Sequence, residues 1–224
     1  MAHYEIEIKS LLGEKAAADA LKAQMAALDP EHAHTSSNTQ LNHYFTGGNM
    51  EELAAVAAAH LDGGQQRKLD TIAQKGTDFS VRTRQRDDEV LLVVKASVDA
   101  GTSENTISRL EFEEAVSITL EALDALVVQA GFTYQAKWSR VREEYSYKGA
   151  YVCIDYNAGY GYLAEFEKIT ADEAGVEKAK AELVELMAEL GVEELPQERL
   201  ARMFDFYNQN WRDYYGTQKT FKIE

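Results

Sequence analysis

Cys153 is the only cysteine in 224 residues, so no disulfide can form within the chain. That thiol is expected to be a small buried hydrophobe on a strand. No apolar run approaches the roughly 20 residues that would span a bilayer. The first residues show no basic stretch leading into an apolar one. Neither a membrane protein nor a secretory leader is expected, and the cytoplasm is the expected compartment. Positive charge is also scarce: 23 Lys and Arg stand against 38 Asp and Glu, a net charge of −15. So acidic a chain repels nucleic-acid phosphates at long range, which argues against polymeric DNA or RNA as a partner. A small anion can still bind wherever cations are gathered. The common phosphate-loop, zinc and dithiol signatures are missing: there is no G-x-x-x-x-G-K-[ST], no H-E-x-x-H and no C-x-x-C.

With 45% hydrophobic and 27% charged residues, the chain has the make-up of a globular protein. Glycine and charge divide the chain without suggesting two domains, and a single domain over residues 1–224 is expected. Residues 3–11 alternate as a strand. Residues 14–28 are Ala-rich and helical up to Asp29-Pro30. "QLNHYF", 40–45, reads as a short strand, and 50–64 as a helix ended by Gly63-Gly64. Two strand-like runs flank Asp87-Asp88 as a hairpin, and two more flank Lys148-Gly149. Residues 106–116 alternate. Helical spacing covers 117–130, then 172–190 with Asp172 as N-cap, and finally 197–214.

Five strand-like segments repeat one motif, with charges two residues apart: Glu5-Ile6-Glu7-Ile8-Lys9, Arg82-Thr83-Arg84, Glu111-Phe112-Glu113, Arg140-Val141-Arg142 and Glu165-Phe166-Glu167. Residues i and i+2 of a strand share a face. One such strand is ordinarily half-exposed sheet; five call for another account. The helices have apolar stripes that need the apolar side of these strands, which leaves the charged side facing away. If the strands curl and close, that side becomes an interior. Lys95 and Asp155 add single charges to neighbouring apolar runs. The set holds seven carboxylates and six cations, so nearly all the acidic excess lies elsewhere. Charges enclosed together must pair or bind something. Clustered cations suit closely spaced negative charges, and clustered carboxylates suit a hard divalent cation. A phosphate chain with Mg²⁺ or Mn²⁺ satisfies both.

"EIEIK", the R-x-R strand followed by Lys95, "LEFE", "SRVREEY", "VCIDY" and "GYLAEFE", in that order over about residues 4–170, resemble the CYTH superfamily of triphosphate tunnel metalloenzymes. The resemblance implies an α+β fold: an antiparallel eight-stranded closed β-barrel with amphipathic helices outside. A helical insertion at about 47–76 and a C-terminal helical segment at about 172–215 would belong to the same domain. It also implies that Glu5, Glu7, Asp155, Glu165 and Glu167 hold Mg²⁺ or Mn²⁺. Lys9, Arg82, Arg84, Lys95, Arg140 and Arg142 would hold the phosphates, with Glu111 and Glu113 as further acidic residues of unassigned role. Tyr44 would position the attacking water with Lys9. Arg140 stands where a lysine is common, and Leu163 where an aromatic is common. The 47–76 segment is longer than usual, which leaves the substrate open.

The function expected on this basis is metal-dependent hydrolysis of an inorganic or organic triphosphate. One alternative is a class IV adenylyl cyclase making cyclic AMP and pyrophosphate from ATP. A second is a polyphosphate- or nucleotide-binding module without turnover. His43 and the Tyr156, Tyr160 and Tyr162 group read as structural. The aromatic C-terminal segment reads as a packing helix or a homodimer contact.

Overall fold

The computed structural model describes residues 4–98, 108–171 and 173–223. Eight strands and six α-helices follow one another as β1 (Tyr4–Gly13), α1 (Lys15–Leu28), β2 (Ala33–Gly47), α2 (Met50–Ala57), α3 (Gly63–Lys75), β3 (Thr77–Arg86), β4 (Glu89–Val98), β5 (Ser108–Ala115), α4 (Leu120–Gln129), β6 (Phe132–Tyr147), β7 (Ala150–Asn157), β8 (Gly161–Thr170), α5 (Val176–Glu189) and α6 (Gln197–Tyr214). The strands form one sheet in the order β1-β8-β7-β6-β2-β3-β4-β5. Strands β1 and β5 end that order, with no pairing between them among the described residues. The sheet is therefore open, and the expected closed barrel is corrected. Its apolar side is already covered by helices, so burying apolar surface does not require the end strands to meet. No helix among the described residues is long and apolar enough to cross a membrane.

The chain divides into two compact units. One takes the residues up to Thr39 together with those from Ser139 onward, and the other takes Gln40–Trp138. In the first, Ile8 of β1, Val152 and Ile154 of β7, and Phe166 of β8 pack under Leu21 and Met25 of α1 and Leu183 of α5. In the second, Phe45, Val81, Leu92, Val94 and Phe112 come from β2 to β5. They pack under Leu53 of α2, Leu69 of α3 and Leu123 of α4. In both units the helices cover the side of the strands opposite the repeated charges, because alternation sends neighbouring residues to opposite faces.

Local signals explain most boundaries. The β6–β7 turn places Lys148 at φ 46° and Gly149 at φ 73°, the pair of left-handed residues that a tight two-residue hairpin needs. Strand β2 runs well beyond the 40–45 expected. Residues 50–64 do not form one helix: α2 ends at Ala57, a 3₁₀ turn covers Ala58–His60, and Gly63-Gly64 open α3 instead of closing the helix before it. The side chain of Asp62 accepts from Gly64 and Gln65 amides, and the Gln65 side chain accepts from the Asp62 amide. This capping box outweighs the stop signal of two glycines. Asp172, the expected N-cap of the later helix, lies outside the described residues, as do residues 106 and 107 of the alternating stretch.

A buried polar cluster braces the second unit beneath its sheet. The Asp124 carboxylate is bonded to His43 Nδ1 at 2.7 Å and accepts from Thr83 Oγ1 at 2.5 Å and the Tyr134 hydroxyl at 2.6 Å. Burial pushes the Asp124 carboxyl up, but these bonds outweigh it and hold the group below its ordinary value. His43 is thus structural, as expected. Asp124→Ala should cost about 1–3 kcal/mol in urea unfolding, because it strands the buried His43 and Thr83. Asp124's contribution should be full above the ordinary carboxylate range and fade as pH falls below it.

Candidate functional site

Strand register lays out the charged face of the first unit. Glu7 stands opposite Glu167, and Lys9 opposite Glu165, across β1 and β8. Glu165 faces Cys153, and Asp155 faces Leu163, across β7 and β8. Arg142 faces Asp155 across β6 and β7, and Arg140 faces Asn157. Glu5, Glu7, Lys9, Arg140, Arg142, Asp155, Glu165 and Glu167 therefore share one side of four adjacent strands.

Side-chain contacts tie most of them together. Arg142 grips Asp155 with two parallel bonds, Nε to Oδ1 and Nη2 to Oδ2, both 2.7 Å. Arg140 Nη1 donates to the same Oδ2 at 3.0 Å. Arg142 Nη2 also reaches Glu165, whose other oxygen lies 3.2 Å from Lys9 Nζ, and Lys9 contacts Glu7. Burial pushes the Glu165 carboxyl up, yet the charges of Arg142, Lys9 and Arg140 hold it well below the usual carboxylate range. For Arg142, Asp155 and Glu165 overcome the opposing effect of burial and raise its proton affinity further. Cys153 shares this face. Burial pushes its thiol up to about 12, against the downward pull of Arg142. It is half-buried on the charged face, where a buried small hydrophobe was expected.

The second unit carries the remaining predicted residues on its own charged face. Tyr44 stands opposite Arg82, and Asn42 opposite Arg84, across β2 and β3. Lys95 faces Glu111 across β4 and β5, with its ammonium 2.9 Å from the carboxylate. Arg84 donates through Nη1 to Glu113 at 2.9 Å and through Nε to Asn42 at 2.6 Å. The Arg82 guanidinium lies over the Tyr44 ring, 4.4 Å from its centre, and its Nε donates to Ser80 at 3.2 Å. Glu111 and Glu113 thus orient Lys95 and Arg84.

Three contributors escaped the sequence reading. Asn42 supplies Arg84's second anchor, and Trp138 lies 6.3 Å from Tyr44 between ring centres. Glu144 continues the Arg140, Arg142 alternation on β6 and stands opposite Cys153. The alternation in "RVREE" contained that signal; nothing in "QLNHYF" singled out Asn42.

The charge balance differs between the faces. Five predicted carboxylates meet three cations in the first unit, with Glu144 in addition, whereas two carboxylates meet three cations in the second. Among the described residues no three acidic, His or Cys side chains already stand in metal-holding geometry. Their chemistry still fits a hard divalent ion: Glu7 faces Glu167 directly, with Glu5 on the same side, and like charges placed opposite repel.

The model of the CYTH domain matches residues 67–199, a stretch that begins after the E-x-E-x-K strand. No curated protein matches the chain. Among solved structures, a protein from Vibrio parahaemolyticus put forward as an adenylate cyclase superposes with a TM-score of 0.58 at 15% identity, over 92% of this chain and 99% of that one. The PH1012 protein of Pyrococcus horikoshii gives 0.56 at 17% identity, over 85% and 92%. HpAC1 from Hippeastrum, put forward as an adenylyl cyclase with a dominant triphosphatase activity, gives 0.51 at 19% identity, over 92% and 96%. At these identities the likeness is one of fold.

Proposed function

The chain belongs to the CYTH domain family, and from that premise we propose that it is a divalent-metal-dependent hydrolase of a triphosphate compound. The observation that carries this reading is the self-paired charged face in each unit, where cations are held in place by carboxylates or an aromatic ring. Lys9, Arg82, Arg84, Lys95, Arg140 and Arg142 bind phosphate oxygens. A partly exposed ion pair such as Lys95 with Glu111 is worth about 0–1 kcal/mol, so exchanging that carboxylate for a phosphate costs little. Arginine forks match phosphate oxygens geometrically as well as in charge.

The first unit's excess of carboxylates supports a metal there. Glu5, Glu7 and Glu167 would hold Mg²⁺ or Mn²⁺, with Glu165 beside them. The bound ion would neutralise charge on the phosphate oxygens. Lys9, held by Glu7 and Glu165, orients the attacking water. Tyr44 carries Arg82 on its ring. Water adds to the terminal phosphorus, the bridging P–O bond breaks, and a tripolyphosphate leaves as phosphate and diphosphate.

Incubation of the full chain with ATP and Mn²⁺, with products resolved by chromatography, tests the reading. ADP and phosphate are expected. Cyclic AMP with pyrophosphate would replace the proposal with a cyclase, and tight binding without product under either metal would leave a binding module.

A further inference from the structure

Asp155 is the most deeply buried of the predicted carboxylates, with its side chain 1% exposed. Both of its oxygens are engaged by guanidinium groups: Oδ1 by Arg142 Nε, and Oδ2 by Arg142 Nη2 and Arg140 Nη1. Its register partner on β8 is Leu163, 4% exposed, so the residue directly opposite on that side offers it no cation. A buried carboxylate in that setting is held by its cations, and taking it as a metal ligand would strip those cations of their anchor. The exposed carboxylates Glu5 and Glu7 carry no such constraint.

We infer that Asp155 is a positioning residue that fixes the plane of Arg142 and anchors Arg140 for phosphate, and not one of the metal ligands. Engaging Nε and Nη2 of Arg142 locks the guanidinium plane and leaves Nη1, which has no hydrogen bond among the described residues, to donate to a phosphate oxygen. Arg140, a position where the family resemblance leads one to expect lysine, fits this arrangement. Its Nη1 shares Oδ2 with Arg142, and a planar guanidinium matches carboxylate and phosphate oxygens in shape, which a single ammonium does less well. The inference rests on the phosphate role proposed above for the two arginines.

The test uses the full-length chain and Asp155→Asn. In ¹⁵N-arginine spectra, the Arg142 Nε–H of the wild type should exchange slowly with solvent, and in Asp155→Asn it should exchange fast. By calorimetry in excess EDTA, the variant should bind tripolyphosphate about tenfold or more weakly than wild type, the loss of at least one charge-assisted bond. The Mg²⁺ concentration for half-maximal turnover should stay within about twofold. A large rise in that Mg²⁺ requirement with unchanged binding in EDTA would make Asp155 a metal ligand and overturn the inference, as would slow Nε–H exchange in the variant. If Asp155→Asn does not fold, Arg142→Lys keeps the charge but loses the fork. It should show the same weakening in EDTA, and wild-type affinity there would overturn the inference. A wild type that binds no tripolyphosphate, yet loses Nε–H protection in Asp155→Asn, would refute the phosphate reading while upholding the arginine clamp.

Discussion

Replacing Arg142 with alanine should lower kcat/KM for a triphosphate substrate by about 10–10², the largest effect expected of any single substitution in this chain. The guanidinium joins Asp155, Glu165 and, in the proposed complex, a phosphate oxygen. Each charge-assisted bond contributes roughly 1.5–3 kcal/mol, and every 1.4 kcal/mol is a factor of ten. The same substitution leaves Asp155 with Arg140 as its remaining cation in a nearly solvent-free position. Removing one partner of a buried pair costs about 3–5 kcal/mol, so a lower melting temperature should accompany the kinetic loss. Activity must therefore be measured well below that temperature, where the variant is folded. Lys178, 81% exposed on α5, makes the comparison: its alanine variant should match wild type in both rate and stability.

Chelation should reduce turnover to background, and Mg²⁺ or Mn²⁺ should restore it. The reason lies in the unequal charge of the two faces. Three predicted cations in the first unit are outnumbered by their own carboxylates, which weakens that face's hold on a triphosphate when no metal is bound. One divalent ion offsets two of those negative charges. Glu7→Gln removes a hard oxygen donor opposite Glu167 and relieves the repulsion between them. The metal concentration for half-maximal activity should rise by about tenfold, from the loss of one contact of roughly 1.5 kcal/mol. Added metal should recover much of the rate. In Arg142→Ala, by contrast, added metal should recover little, and that contrast separates the two roles.

Much of this arrangement was legible before any coordinates. Charges two residues apart on a strand must share a face, and the apolar stripes of the helices say which face they cover. That logic alone placed Glu5, Glu7, Lys9, Arg82, Arg84, Arg140, Arg142, Glu165 and Glu167 away from the helices. Alternation cannot say which strands are neighbours, so the partners stayed hidden. Nothing in the alternation of β7 showed that the register would put Asp155 directly across from Arg142. Closure was equally out of reach, because the alternation of an edge strand reads the same as that of a paired one. The break between α2 and α3 failed for a local reason. Two glycines usually stop a helix, and only the reciprocal bonds of Asp62 and Gln65 reveal that they start one here.

The most direct test of a triphosphate hydrolase built on these charged faces is ³¹P NMR of tripolyphosphate incubated with the full chain and Mg²⁺. The account predicts that the tripolyphosphate signals are replaced by equal amounts of phosphate and diphosphate, and that excess EDTA stops the conversion. Tripolyphosphate left intact with Mg²⁺ and with Mn²⁺, at an enzyme concentration that turns over no other triphosphate either, would contradict it.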